Sequence, residues 1–417
     1  MVLATTLTME NTAIQTETPR AAFQPRRILV RGVNWLGDAV MTTPALMRLR
    51  EQFPAALIAI LTPEKLRGLW QHHPAVDEII TFTPDEGPWL VAKKVQVVMW
   101  PESKKETVVD SARRAAHAMS PLQQRGGFDL AVIFPNSPRS ALECWFARIP
   151  RRVGYARPWR NLLLTNAVPP RSGAGHMRKR PLDEIKRLTS VLGTNEVPRY
   201  TFQESAHQIY DYLNLVAALG ANPEPLPTHL AVTSGEIKAA AQKYNLTSQF
   251  INTRPLFALN PGAEYGPAKR WPVQRFIGAA KEIQKRTKCH WVILGGKGDI
   301  LLANEIHSAI GQSAVSLAGQ TSLRELCAVI KQCRVLLTND TGPMHIAAAL
   351  GTPVVVPFGS TSPELTGPIL SPGSKHQLIK SDAPCSPCFL RQCPIDFRCM
   401  NGISEQRVVE AVMKAVS

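Results

Sequence analysis

The chain has 417 residues, 44% of them hydrophobic and 19% charged, and 48 Lys and Arg against 32 Asp and Glu give a formal charge of +16. That length suggests two or three domains with ample core, and no apolar run approaches the roughly 18 residues of a membrane-spanning helix. The positive excess favours an anionic partner, whether nucleic acid, an anionic membrane surface or a phosphorylated substrate.

The Thr-rich, polar residues 1–25 lack the basic start and apolar core of a secretory signal, so they are expected to be a disordered tail, with Met9 an alternative start. A cytoplasmic location is the expectation. Arg27–Arg31 is a predicted strand running into Gly32-Val33-Asn34-Trp35-Leu36-Gly37-Asp38 and a helix through about Gln52. The two glycines do not have dinucleotide-loop spacing. Asp38 sits at a strand's mouth and a helix's start, where it either stabilises the helix amino end or acts as a general base.

Strands are predicted over 57–61 and 78–81. Residues 86–125 form a partly basic excursion, with an amphipathic helix expected near 107–119. Residues 129–134 are a strong strand ending in Pro135-Asn136-Ser137-Pro138-Arg139, and 152–155 is a short one. Arg148, Arg151, Arg152, Arg157 and Arg160, then Arg171, Arg178, Lys179 and Arg180, are basic loops or simply a solvated surface. Helices are predicted over 182–192 and 206–219.

Asn222 is followed by Pro223, Pro225 and Pro227, so 223–228 is the expected linker between a domain at 26–222 and one at 229–403. The second half repeats the α/β alternation. A helix at 235–244 leads to a strand at 256–260. After it comes Pro261-Gly262-Ala263-Glu264-Tyr265-Gly266-Pro267-Ala268-Lys269-Arg270-Trp271-Pro272, then a helix from about Val273. Such a loop can offer N–H groups and a Lys to a diphosphate, or be a surface turn. The strand 291–294 ends in a Gly-rich loop with Asp299. The strand 314–317 ends in a loop with Thr321, which opens a helix at 323–331. Val335-Leu336-Leu337 then ends in Asn339-Asp340-Thr341-Gly342, and a compact apolar helix carrying His345 follows. Asp340 or Thr341 either caps that helix or helps bind a phosphate at its amino end. Four strands ending in polar or Gly-rich loops along one sheet edge imply a nucleotide-sized site.

Cys144, Cys289, Cys327 and Cys333 are expected to be buried thiols. Cys385, Cys388, Cys393 and Cys399 crowd one stretch and could hold zinc or an iron–sulfur centre. Their spacing fits no standard zinc template well, so a reduced hairpin without metal is the preferred reading. The last helix, 404–417, is expected to pack back on the N-terminal domain.

Assembled, the segments GVNWLGDAVM (32–41), PNSPRSAL (135–142), PGAEYGPAKRWP (261–272), LAGQTSL (317–323), TNDTGPMHIAAAL (338–350) and FGSTSPELTGP (358–368) resemble the ADP-heptose:lipopolysaccharide heptosyltransferases of glycosyltransferase family 9. The pattern is nearest to the heptosyltransferase II type. The resemblance implies an α/β GT-B architecture, two Rossmann-like doubly wound domains facing across a cleft. It implies inverting, metal-independent transfer of L-glycero-D-manno-heptose onto the first heptose of the lipopolysaccharide inner core. The donor would be ADP-heptose, with no cofactor and no metal required. The acceptor would be a lipid-linked Kdo/heptose core at the inner membrane surface, which allows a peripheral location on its cytoplasmic face.

Carried onto this chain, the resemblance makes Asp38 the base. Lys269, with the N–H groups of Thr341 and Gly342, would neutralise the departing ADP. Asp340 and His345 would hold the donor sugar or its phosphates, alongside Gly262 and Ala263. Thr321 and Leu323 would flank the nucleoside, with Asp299 near the ribose. Asn136, Ser137, Arg139, Arg157 and Arg160 would face the acceptor. Competing readings are a transferase of the same family with another acceptor, a sugar-nucleotide epimerase of similar fold, and a basic nucleic-acid-binding protein, although no nucleic-acid motif is present. The oligomeric state is left open.

Overall fold

The computed structural model describes residues 23–99, 127–175, 177–190, 202–246, 254–370 and 373–417. The helix expected near 107–119 and most of the N-terminal tail lie outside them. The rest is built from two six-stranded sheets, every neighbouring pair of strands being parallel. The first sheet uses β1 (Arg27–Arg31), β2 (Leu57–Pro63), β3 (Glu78–Phe82), β4 (Leu130–Ile133), β5 (Arg151–Tyr155) and β6 (Asn166–Val168) in the order β3-β2-β1-β4-β5-β6. The second uses β7 (Leu256–Asn260), β8 (His290–Ile293), β9 (Ala314–Ser316), β10 (Leu336–Thr338), β11 (Val354–Phe358) and β12 (Gln377–Lys380) in the order β12-β11-β10-β7-β8-β9. In each sheet the chain moves outward from a central strand in one direction and then in the other, as in doubly wound nucleotide-binding folds.

Parallel strands covered by helices on both faces read as unbroken apolar runs. Ile28, Leu29 and Val30, and Val354, Val355 and Val356, are accordingly all fully buried. The chain order reverses between β1 and β4 in one sheet and between β7 and β10 in the other. Ligands bind at such switch points, outside the carboxyl ends of the strands. The loops concerned carry Asp38, Asn136, Lys269 and Asp340.

Helix α1 (Leu36–Met41) follows β1 and α2 (Thr43–Gln52) continues it, separated by Thr42. In chain order come α3 (Pro88–Met99), α4 (Pro138–Phe146), α5 (Leu182–Ser190), α6 (Ile209–Ala217), α7 (Ser234–Lys243), α8 (Val273–Thr287), α9 (Ile300–Ile310), α10 (Leu323–Gln332), α11 (Gly342–Ala349) and α12 (Glu405–Val416). Part of the predicted excursion is therefore regular: α3 buries Val91, Ala92 and Val95 against the first sheet. Helices α4 and α9 and the edge strand β12 were not expected from the sequence. No described helix is long and apolar enough to cross a membrane.

The last helix requires a correction. Val408, Val409, Val412 and Ala415 of α12 sit in the same core as Phe276 and Ile283 of α8 and Val355 of β11, and Arg286 pairs with Glu410 at 3.1 Å. Its apolar stripe matches the second sheet's own helix layer, so α12 closes the C-terminal domain and does not return to the first. The Pro-rich stretch 223–228 lies between α6, which packs on α2, and residue 230, whose N–H already donates to the Ala349 carbonyl at 3.1 Å.

Candidate active site

The two domains meet where α1 crosses the start of α11. A Cβ on Gly37 would lie 2.7 Å from the His345 ring, and a Cβ on Gly342 would lie 2.6 Å from Leu36. Each glycine thus admits a side chain of the opposite domain. That contact carries Asp38, in the first turn of α1, to the mouth of the second domain.

Asp38 lines a cavity of about 370 Å³ with Asn34, Trp35, Asn136, Tyr155, Arg157, Arg171, Asp211 and Tyr212. Its carboxylate makes no hydrogen bond or ion pair among the described residues. Burial pushes its pKa up to about 6, with Lys269 pulling it down and Asp340 pushing it up across the cleft. A partly enclosed carboxylate, unpaired and titrating near neutrality, is suited to accept a proton.

Across the cleft, Lys269 Nζ donates to Asp340 Oδ2 at 2.7 Å, and Thr361 Oγ1 donates to the same oxygen at 2.6 Å. Burial would raise the Asp340 pKa, but Lys269, Thr361 and His345 outweigh it and hold the carboxyl below its ordinary value. Asp340 is only 4% exposed. It therefore fixes Lys269 at the switch point through Oδ2. Asn339 organises the same corner. Its amide donates to the Pro261 carbonyl at 2.7 Å and its carbonyl accepts the Trp271 N–H at 2.9 Å, tying the end of β10 to the Lys269 loop.

Thr341 precedes α11 in extended conformation and no side chain caps that helix. The capping alternative thus falls away, and the first-turn N–H groups have no side-chain acceptor. His345 is buried against Gly37; burial lowers its pKa to about 4, so it is neutral at physiological pH.

The remaining donor-side candidates are dispersed along the same sheet edge. Asp299 accepts the Gly296 N–H at 3.0 Å and fills the space before Gly262, where a Cβ would meet its carboxylate at 2.3 Å. Arg270 lies 3.8 Å from it. Ala263 is buried and Thr321 half-buried. Leu323 packs against Gly68 of the first domain, next to Arg324, which donates to the Ala231 carbonyl at 2.9 Å.

Among the candidates expected to face an acceptor, the structure separates residues that the sequence grouped. Asn136 and Arg157 line the cavity. Ser137 does not; its hydroxyl caps α4 by accepting the Ser140 N–H at 3.3 Å. Arg139 is held by Glu143, at 3.2 Å, and by the Glu86 carbonyl. Arg160 is fully buried, and its guanidinium donates to the carbonyls of Tyr155 at 2.6 Å and Pro135 at 2.7 Å. Arg160 is thus structural in this fold, while Ser137 and Arg139 lie outside the cavity lining, engaged by α4 and, for Arg139, by the Glu86 carbonyl. Arg171, one of the basic residues the sequence singled out, also lines the cavity. Sequence reasoning missed Tyr155, Asp211 and Tyr212 as cavity residues, and Thr361 as a partner of Asp340. Thr361 lay within a quoted motif, whereas nothing local marks the others.

Cys385, Cys388 and Cys399 are buried and Cys393 is half-buried. Cys385 and Cys388 pack with Ile185 of α5. Burial pushes the Cys399 thiol up to about 12. Among the described residues no three His, Cys, Asp or Glu side chains are arranged to hold a metal ion. The segment's visible role is packing. Arg391 O accepts the Ala268 N–H at 3.1 Å, Phe389 O accepts the Tyr265 hydroxyl at 2.9 Å, and Cys388 O accepts the Arg180 N–H at 3.0 Å. It so braces the Lys269 loop against the first domain.

With this geometry in place, residues 173–397 match glycosyltransferase family 9 (heptosyltransferase). The chain belongs to that family. It is 30% identical over 348 residues to lipopolysaccharide heptosyltransferase 2 of Salmonella typhimurium, covering 82% of this chain and 85% of the relative. The solved structure of Escherichia coli ADP-heptose lipopolysaccharide heptosyltransferase II superposes with a TM-score of 0.67 at 26% identity, covering 94% of this chain and 98% of that one. A family 9 glycosyltransferase from Veillonella parvula, 20% identical, shares the fold with a TM-score of 0.70 over 95% of this chain and 98% of its own. The two facing doubly wound sheets are thus the GT-B architecture, and the family 9 chain is a heptosyltransferase-type glycosyltransferase. The nucleic-acid reading of its charge gives way to that assignment.

Proposed function

We propose that this enzyme transfers L-glycero-D-manno-heptose from ADP-heptose to the first heptose of the lipopolysaccharide inner core, with inversion and without a metal. The observation that carries the chemistry is Asp38, an unpaired carboxylate with a pKa of about 6 in the N-terminal cavity, opposite Lys269 at the C-terminal switch point. The likeness to a heptosyltransferase 2 over more than four-fifths of the chain supports the substrate pair.

In this reading the acceptor hydroxyl lies in the cavity beside Asp38, with Asn136, Arg157 and Arg171 around its polar groups. Asp38 takes the hydroxyl proton as the new glycosidic bond forms. One carboxylate on the acceptor side, with the donor held by the other domain, supports direct displacement and hence inversion. Charge developing on the ADP leaving group is met by Lys269, released in part from Asp340, and by the N–H groups at Thr341 and Gly342. Donors fixed before the reaction are where electrostatic stabilisation is most effective. A Lys and a helix amino end in this role support a metal-independent reaction.

The test is transfer from ADP-L-glycero-D-manno-heptose to two acceptors, one ending in Kdo and one already carrying the first heptose. Mass gain on the heptosylated acceptor alone is the expected result. Gain on the bare Kdo acceptor would make this the first transferase instead, and gain on neither would remove the donor–acceptor pair.

A further inference from the structure

The loop between β5 and β6 holds two large apolar side chains out in solvent. Trp159 is 86% exposed and Leu162 is 82% exposed, on either side of Arg160, which is fully buried. This is a braced loop. Arg160 donates from below to the carbonyls of Tyr155 and Pro135, and a side chain on Gly154 would collide with its guanidinium, Cβ to Nη2 at 2.8 Å. Asn161 Oδ1 accepts the Arg157 N–H at 2.8 Å, and Arg152 Nε donates to the Leu163 carbonyl at 2.7 Å. Trp159 itself takes a left-handed backbone conformation, φ 61°, which a bulky residue rarely adopts.

The loop adjoins the cavity, because Arg157 lines it. Across the same opening stands Trp35, 45% exposed, with Lys65 Nζ 5.6 Å from its ring centroid. Both tryptophans follow the carboxyl ends of parallel strands and so share the sheet edge on which the acceptor cavity opens. Exposed aromatic and aliphatic side chains interleaved with cations are the composition that seats a protein in the headgroup region of an anionic membrane. The net charge of +16 has the matching sign.

We propose that the cavity-side edge of the N-terminal domain docks on an anionic phospholipid bilayer, with Trp159 and Leu162 entering the interface and Arg157 beside phosphate headgroups. The inference rests on the acceptor reading above for its purpose, since it would present the cavity to a lipid-linked sugar. It does not rest on that reading for its physics. Burying an apolar side chain of this size strengthens binding by on the order of tenfold or more.

The experiment is co-sedimentation of the full chain with vesicles of phosphatidylcholine alone or mixed with phosphatidylglycerol, without donor or acceptor. Wild type should bind the mixed vesicles, more weakly at high salt. Trp159→Ala/Leu162→Ala should lose on the order of tenfold or more of that binding, while transferring heptose to a delipidated, water-soluble acceptor at about the wild-type rate. Leu301→Ala removes an equally exposed side chain, 84%, from the other domain and should bind like wild type. Undiminished binding by the double variant, an equal loss with Leu301→Ala, or no wild-type preference for phosphatidylglycerol would each overturn the proposal. Loss of transfer to every acceptor with vesicle binding intact would instead count against the acceptor reading.

Discussion

Replacing Asp38 by Asn should remove activity and stabilise the fold, and the two effects come from one cause. Burial raises the Asp38 pKa from 3.8 to about 6. At about 1.4 kcal/mol per pH unit, ionised Asp38 costs the folded chain roughly 3 kcal/mol above pH 6. Between 3.8 and about 6 the folded state holds this proton more tightly than the unfolded state. The contribution to stability is therefore full below pH 3.8 and is lost as pH rises through about 6. The substituted amide carries no charge, so Asp38→Asn should gain roughly 2–3 kcal/mol relative to wild type at about pH 7.5 and only about 0.5 kcal/mol at about pH 4. Urea unfolding at the two pH values measures the difference. Transfer should fall by about 10²–10⁴, the usual worth of a positioned base. For wild type, kcat/KM should decline as pH drops through about 6. Near-wild-type turnover by Asp38→Asn would refute the base assignment. An equal stability change at both pH values would refute the claim that the buried charge is what costs.

Lys269→Ala leaves the buried Asp340 carboxylate with Thr361 but without its cation, so it should cost roughly 3 kcal/mol of stability as well as weakening ADP-heptose use more than acceptor use. Denaturation with initial rates at varied donor checks both, and an unchanged donor KM and kcat would count against the phosphate role. Arg157→Ala and Arg160→Ala should part company. The first should raise acceptor KM with stability held within about 0.5 kcal/mol. The second should destabilise by roughly 2–4 kcal/mol, because the buried Tyr155 carbonyl and the part-buried Pro135 carbonyl lose their donor. Similar unfolding midpoints for the two variants would contradict the placement of Arg160.

Much of the architecture was legible because parallel α/β units are locally encoded. Each buried strand is a short apolar run, and each is closed by a Gly, Pro or polar loop. The strands predicted at 256–260 and 291–294 fall on β7 and β8, and the final helix lies where expected. Elements without such a signature were missed. Strand β12 is four residues at a sheet edge and is defined by its pairing with β11. Helix α12 was foreseen but its packing was not, since an apolar stripe names a buried face and not the surface that buries it.

The site divides along the same line. The family, the two doubly wound domains and the loops that carry Asp38, Lys269 and Asp340 could be read from the chain alone, because these depend on residue type and near neighbours. Folding in three dimensions settled which of two arginines three positions apart faces the cavity and which is buried. It also set Asp340 between Lys269 and Thr361, and made Gly37 and Gly342 the places where the domains close on each other. Those facts depend on contacts between residues far apart in the chain, and desolvation, which sets the Asp38 pKa, exists only once the folded protein surrounds that carboxylate.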